Sequence, residues 1–192
     1  MEKNVRNWTV FIIGGQSGAG KSTLAYGLSE YYGGVNVLEF DDIAQAVMAL
    51  VTAETHPVIF EGKNENWQDS GVEGNRGWLL NVSKAYAPAL KAVVERHVED
   101  NVPVIIEGDF IDPQITLSFG EGVKTLFTLE PDEGQLIKNF QSREGGDPQT
   151  FRAAISAAHG AWLRETCEEK GIPHMDIHPW DGSVRRAIEL TA

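Results

Sequence analysis

The most constraining feature of the chain is the segment Gly15-Gln16-Ser17-Gly18-Ala19-Gly20-Lys21-Ser22, which fits the pattern GxxxxGK(S/T) in full. It directly follows the apolar run 9–13 and precedes an amphipathic stretch that begins at Lys21. A strand that ends in such a loop and leads into a helix points several backbone N–H groups toward one spot, which attracts phosphate. This segment, called the phosphate loop below, therefore predicts a nucleoside triphosphate site.

Each residue type in the phosphate loop suits a separate task. The glycines permit backbone angles and a close approach of ligand that side chains would block. Lys21 supplies a mobile cation for the β- and γ-phosphates, and the Ser22 hydroxyl, in preference to Thr23, is the expected ligand of Mg²⁺. We expect the nucleotide to be bound by Gly15, Gln16, Ser17, Gly18, Ala19, Gly20, Lys21, Ser22 and Thr23.

Length and charge narrow the class of protein. The 192 residues, of which 42% are hydrophobic, suit one domain with an ordinary core. The formal net charge is −12 and the basic residues are scattered, so nucleic acid is not an expected partner. Because no apolar run is long enough to span a bilayer or to form a signal segment, we expect a cytoplasmic protein without a membrane partner. We expect it to be a monomer or a homodimer, with Cys167 as a buried core thiol.

The pattern of apolar runs predicts the fold class. Short runs rich in Val and Ile alternate with helical segments, which is typical of a parallel sheet covered by helices on both faces. We predict an α/β, three-layer domain with five strands, at 9–13, 35–40, 102–107, 123–129 and 172–177. The predicted helices cover 21–32, a segment that begins after Asp42, 81–100, 132–143, 148–170 and 181–190.

Two segments differ from the regular alternation of strands and helices. Residues 53–80 are polar and interrupted by glycines but contain Phe60, Trp67 and Trp78, so we interpret them as a lobe that binds an acceptor molecule. Residues 142–150 contain two adjacent glycines beside Arg143 and are interpreted as a lid.

Arginine bonds phosphate in a bidentate manner and keeps its charge, which makes Arg143 the expected cation for the γ-phosphate. Arg152 and Arg164, on the following helix, are the alternatives.

Acidic residues follow three of the predicted strands. Parallel sheets bind ligands at the carboxyl ends of their strands, so Asp41 and Asp42 are candidates to orient or deprotonate an attacking hydroxyl. The alternative is that one of them caps the helix that follows. Glu107 ends a strand of Walker B type and is a candidate magnesium ligand, while Asp109 is a second candidate base. A glycine turn with solvated acids is the alternative for these two residues.

Other features of the carboxyl-terminal part of the chain favour ordinary structural roles. His174, Asp176 and His178 alternate, as metal ligands on one face of a strand would, but hydrogen bonding at a strand end is the preferred interpretation. Trp180 and Pro179 are candidates to lie against an adenine ring, with core packing as the alternative.

The charge of the acceptor lobe bears on the acceptor itself. From residue 41 to residue 80 there are seven acids but only two bases, Lys63 and Arg76. A pocket built from this segment suits a neutral or cationic hydroxyl compound better than one that carries several phosphates.

The order of these parts resembles the small P-loop kinases, a superfamily that includes adenylate and shikimate kinases, chloramphenicol phosphotransferase, zeta-type toxins and 2-phosphoglycerate kinase. Glu107-Gly108-Asp109 is similar to the strand end of the phosphoglycerate and uridine kinase groups, and Asp41-Asp42 resembles the chloramphenicol phosphotransferase and toxin pattern. The resemblance implies a sheet of order 2-3-1-4-5, an ATP and magnesium site, and a closing lid.

These observations favour a kinase that transfers the γ-phosphoryl group of ATP to a hydroxyl of a metabolite, sugar, nucleoside or antibiotic. Lys21, Asp42, Asp41, Arg143 and Asp109 are its expected catalytic residues, and Ser22 and Glu107 its metal ligands. The alternative is a regulatory ATPase without a small acceptor. A GTPase is disfavoured because the guanine-reading Asn-Lys-x-Asp sequence does not occur. Transfer to a polynucleotide end is disfavoured by the acidity of the chain.

Overall fold

One parallel sheet organises the protein. The computed structural model describes residues 5–62 and 67–192. Within them the strands are β1 (Val10–Gly15), β2 (Asn36–Glu39), β3 (Val104–Gly108), β4 (Val123–Leu129) and β5 (His174–Asp176). Their order in the sheet is β2-β3-β1-β4-β5, and all neighbours are parallel. The predicted α/β class and the 2-3-1-4-5 order are both confirmed.

Helices connect the strands. They are α1 (Lys21–Tyr31), α2 (Phe40–Leu50), α3 (Pro57–Glu61), α4 (Gly71–Glu99), α5 (Pro113–Thr116), α6 (Glu133–Glu144), α7 (Thr150–Lys170) and α8 (Ser183–Leu190), with a 3₁₀ turn at Trp67–Ser70. Among the described residues, no helix has both the length and the apolar character needed to cross a membrane.

The strand β1 lies at the centre and is buried along its whole length. Its side chains alternate between the two faces of the sheet, as the twofold period of a strand requires. Val10 and Ile12 pack in a core with side chains of α4 and α7, whereas Phe11 and Ile13 pack with α1 and α8. The phosphate loop, which follows β1, therefore lies on a rigid two-sided core.

Several element boundaries differ from the sequence prediction. The second helix begins at Phe40 and not after Asp42, so Asp41 and Asp42 occupy its first turn, where acids interact favourably with the helix dipole. Neither caps this helix, because the residue at the cap position is Glu39 and no side chain makes a cap hydrogen bond there.

The acceptor lobe also contains more helix than its composition predicts. The helix α4 begins at Gly71, ten residues earlier than predicted, and its first turns include three glycines. Packing stabilises this segment against its low helix propensity: Trp78 contacts the core and donates a 2.7 Å hydrogen bond to the Val58 carbonyl. Residues 63–66 of the lobe, and with them Lys63, lie outside the described residues.

Candidate functional site

The phosphate loop has the backbone conformation that its glycines predict. Gly18 and Gly20 have φ of 80° and 68°, in the left-handed region that favours glycine. At Gly20 a Cβ atom would lie 2.0 Å from the Trp180 ring, so a side chain there is excluded by contact as well as by backbone angle. The loop is thus held tightly between β1 and the segment after β5.

Side chains distant in sequence bind the outer carbonyl groups of this loop. Asn139 of α6 donates a 2.9 Å hydrogen bond to the Gly18 carbonyl, and Ser156 of α7 donates one of 2.6 Å to the Ser17 carbonyl. The contacts of Asn139 and Ser156 are not predictable from the sequence, because neither residue belongs to a local motif and each lies more than 100 positions from its partner. With their carbonyls bonded on the outside, the N–H groups of the first helical turn are free to bind an anion.

Lys21 lies between the phosphate loop and β3. Its Nζ donates a 3.1 Å hydrogen bond to the Gln16 carbonyl and forms an ion pair with Asp109. Burial raises the pKa of Asp109, but the charge and hydrogen bond of Lys21, together with the His159 charge and a Ser17 hydrogen bond, lower it overall. Asp109 is therefore a carboxylate at neutral pH and lies at the phosphate site.

Ser22 and Glu107 meet directly. The Ser22 hydroxyl donates a 2.7 Å hydrogen bond to Oε1 of Glu107, which is buried at the end of β3. Burial raises the pKa of Glu107 in spite of the Lys21 charge and the Ser22 hydrogen bond. A hydroxyl oxygen and a carboxylate oxygen beside the phosphate loop are ligands of the kind that Mg²⁺ prefers, so the residues present fit this metal.

Glu39, which sequence analysis did not single out, lies next to Glu107. The two residues are register partners on β2 and β3, and Tyr26 donates a 3.0 Å hydrogen bond to Oε1 of Glu39. The available signal was the position of Glu39 as the next-to-last residue of the predicted strand 35–40.

The two adjacent acids on α2 have different surroundings. Asp41 lines a cavity with Trp78 and Phe110, and its pKa is raised by burial and by the nearby charge of Asp109. Both acids are exposed to solvent, but Asp42 does not line this cavity. The structure thus brings Asp41 together with Lys21 and Asp109, and places Asp42 outside this group.

Arg143 of the predicted lid and Arg152 of the following helix are bound to one carboxylate. Arg143 and Arg152 both form ion pairs with Glu144, at 2.6 Å and 2.9 Å. Hydrogen bonds from Gln149 and from these two arginines lower the pKa of Glu144 to about 2. The helix α6 extends through Glu144 and α7 begins at Thr150, so only residues 145–149 of the predicted lid are not helical.

Arg152 also contacts the phosphate loop. Its NH2 group donates a 3.3 Å hydrogen bond to the Ser17 hydroxyl, and its guanidinium lies 4.4 Å from the centre of the Phe140 ring. Arg143 lines a cavity with Lys21 and Ser22. Arg164, the third arginine considered, instead forms an ion pair with Asp176.

Two cavities flank the ion pair of Lys21 with Asp109. One, of about 310 Å³, is lined by the phosphate loop, Thr23, Arg143 and Trp180. The other, of about 400 Å³, is bounded by Asp109 and Arg152 and by the aromatic side chains of the acceptor lobe. The second cavity shares Gly62, Trp78 and Phe110 with the cavity that Asp41 lines.

The alternating residues near β5 make ordinary contacts. His178 binds Glu130, Asp176 binds Arg164, and Nδ1 of His174 lies 3.0 Å from the Ile172 carbonyl. In the ranges 5–62 and 67–192, no three His, Cys, Asp or Glu residues cluster as metal ligands. Cys167 is a buried free thiol, as predicted, and burial raises its pKa to about 12.

Comparison with known sequences finds relatives that are named as kinases. No family model matches the sequence. The chain is 27% identical over 193 residues to the 2-phosphoglycerate kinase of Methanocaldococcus jannaschii, an alignment that covers 94% of this chain and 62% of that protein. It is also 27% identical to the 2-phosphoglycerate kinase of Methanopyrus kandleri, over 93% of this chain and 59% of that protein. The chain thus spans about three fifths of the length of the curated relatives it matches.

Comparison with solved structures identifies the fold. A gluconokinase from Sinorhizobium meliloti superimposes with a TM-score of 0.53 at 18% identity, over 96% of this chain and 91% of that one. A shikimate kinase from Acinetobacter baumannii, solved with shikimate, gives a TM-score of 0.55 at 15% identity over 95% and 90% of the chains. The chain has the fold of the small-molecule P-loop kinases.

Proposed function

We propose that this chain, with its small-molecule kinase fold, is a phosphotransferase that moves the γ-phosphoryl group of ATP to a hydroxyl of a small molecule. The position of Asp109 is the observation that supports this proposal most directly. Asp109 pairs with Lys21 at the phosphate loop and also lines the 400 Å³ cavity of the acceptor lobe. A carboxylate shared by a phosphate site and a second cavity is the arrangement that transfer between two bound molecules requires.

Each group of residues has a separate role in phosphoryl transfer. The phosphate loop and Lys21 hold the triphosphate, and Asp41 and Asp109 orient the acceptor hydroxyl and accept its proton. Asp42 is not assigned this role here because it lies outside the cavity. Arg152 already contacts the phosphate loop, and Arg143 approaches the γ-phosphate when the lid segment 142–150 closes. The charge of both arginines stabilises the transition state.

Ser22 and Glu107 would hold the metal of the proposed site, which we assign as Mg²⁺. When bound, this ion neutralises charge on the phosphate oxygens of ATP. Burial raises the pKa of Glu107, and a bound cation would favour the ionised form of this carboxylate.

The test is ADP formation from ATP and Mg²⁺ with and without a panel of hydroxyl compounds. We expect turnover to depend on the acceptor and the Lys21→Ala variant to be inactive with every compound. Turnover at the same rate without any acceptor would favour the regulatory ATPase and contradict the proposal.

A further inference from the structure

The acceptor cleft has an aromatic wall. Trp78 and Phe110 meet edge to face with ring centres 6.0 Å apart, and both line each of the two joined cavities. Trp67, which also lines the larger cavity, packs against Phe151 of α7 with ring centres 5.4 Å apart. Together these rings offer a ligand a rigid apolar surface, because Trp78 is fixed by its hydrogen bond to Val58.

The cleft also presents hydrogen-bond acceptors. Asp41 and Asp109 supply carboxylates from the two cavities. Asn75 uses its Nδ2 group for two 2.8 Å hydrogen bonds to the Trp67 and Gly71 carbonyls, so its remaining capacity is that of the acceptor Oδ1. Such groups bind the O–H and N–H donors of a ligand and repel anions.

The cations near the cleft are already paired with acids. Lys21 is bound to Asp109, Arg152 to Glu144, and Arg76 to Glu73 at 2.7 Å. Within the described ranges, Arg152 is the single cation that lines either cavity. A ligand with a phosphate and a carboxylate would therefore enter a site whose charge is already balanced or negative.

From these contacts we infer that the acceptor is a polyhydroxy compound without negative charge and with one apolar face, which packs on Trp78 and Phe110 and donates hydroxyls to Asp41 and Asp109. The inference rests on the proposed function and narrows it. It also separates this chain from its curated relatives, which are named for 2-phosphoglycerate, a compound with both a phosphate and a carboxylate.

The test compares uncharged acceptors with acidic acceptors built on the same number of carbon atoms: glucose with gluconate, and glycerol with glycerate and 2-phosphoglycerate. ADP formation is measured with the full chain at one ionic strength. We expect kcat/KM for the uncharged member of each set to be at least about 10-fold higher. Preference for gluconate or 2-phosphoglycerate would overturn the inference and leave the proposed function intact, since turnover would still need an acceptor. Turnover that needs no acceptor would overturn both.

A binding measurement gives a readout independent of turnover. Tryptophan fluorescence is followed as each compound is added in the presence of a nonhydrolysable ATP analogue. We expect uncharged compounds to change the emission of the parent and of the Trp162→Phe variant, because Trp162 stacks on His159 and does not line the cleft. The signal should be largely lost in Trp78→Phe. A response of the parent to the acids alone would overturn the inference.

Glu144→Gln tests whether the pairing of cations with acids disfavours acidic acceptors, because this substitution releases Arg143 and Arg152. Because both arginines also belong to the proposed transfer site, the readout is the ratio of kcat/KM for gluconate to that for glucose, which we expect to rise about threefold or more. The matched control Glu133→Gln, at the exposed start of the same helix, should behave like the parent. If gluconate is as poor a substrate relative to glucose in Glu144→Gln as it is in the parent, charge pairing does not exclude acids and the inference is overturned.

Discussion

The Ser22 hydroxyl donates a 2.7 Å hydrogen bond to the buried Glu107 carboxylate, and this contact joins the first turn of α1 to the end of β3. It links the two halves of the proposed metal site through the folded core. Since Ser22 and Glu107 are 85 positions apart, only the parallel pairing of β1 with β3 brings them together.

Glu107→Gln should abolish activity without lowering the stability of the chain at pH 7. Burial raises the folded-state pKa of Glu107 above its ordinary value of 4.5, so the native state binds this proton more tightly than the unfolded state. The metal-free chain therefore loses stability as pH rises from about 4.5 through the folded pKa. The Gln variant lacks this loss and should be at least as stable as the parent at pH 7, yet inactive. Melting temperatures between pH 4 and 8, without metal, check this; equal pH slopes in both proteins would contradict it.

Lys21→Ala should abolish transfer, because the cation at the β- and γ-phosphates is lost. We expect kcat/KM to fall by about 10²-fold or more. The variant also leaves Asp109 without its partner, so the pKa of Asp109 should rise toward the value that burial favours. Initial rates of ADP formation provide the measurement. The control is Lys91→Ala, whose exposed partner Glu95 is 3.7 Å away and whose loss should have little effect.

The adjacent acids of α2 form a matched pair. Asp41→Asn should lower kcat by about 10²-fold or more, since a positioned base contributes about this much, and should retain ATP binding. Asp42→Asn should remain close to the parent because Asp42, unlike Asp41, does not line the cleft. Rates and ATP titrations for both variants decide the matter. The reverse order of effects would return the role of base to Asp42.

The arginine variants should differ in severity. Arg152 touches Ser17 of the phosphate loop and stacks on Phe140, whereas Arg143 is more exposed. We expect Arg152→Ala to lower kcat more than Arg143→Ala, by about 10²-fold against about 10-fold, with smaller changes in KM for ATP. Steady-state kinetics test this ranking. Equal activity of both variants and the parent would exclude them from the transition state.

Trp180 should contribute to nucleotide affinity. Its ring contacts Gly20 and lines the cavity that contains Lys21 and Ser22. Stacking of a base on an aromatic ring is worth about 1–3 kcal/mol, so Trp180→Ala should weaken ATP binding by about 5-fold to 10²-fold. Calorimetry with ATP and Mg²⁺ measures this change. An unchanged dissociation constant would assign Trp180 to packing alone.

The sequence was enough to predict the parts that depend on local pattern. A loop of fixed spacing after a buried strand predicted a phosphate site, and apolar runs that alternate with helical segments predicted the five parallel strands. The start of α4 at Gly71 was not predictable, because three glycines lower its helix propensity and the packing of Trp78 outweighs them. The roles of Asn139 and Ser156 were likewise absent from any local pattern.

The sequence by itself thus determined the chemistry available: a phosphate loop, acids at the ends of strands, and arginines before the last strand. The tertiary structure alone decided which of these groups meet, since it brought Asp41 and not Asp42 into the cleft with Asp109 and bound both Arg143 and Arg152 to Glu144. The physical reason is that motif and period act over a few neighbouring residues, whereas the orientation of a side chain toward a site depends on packing between distant elements.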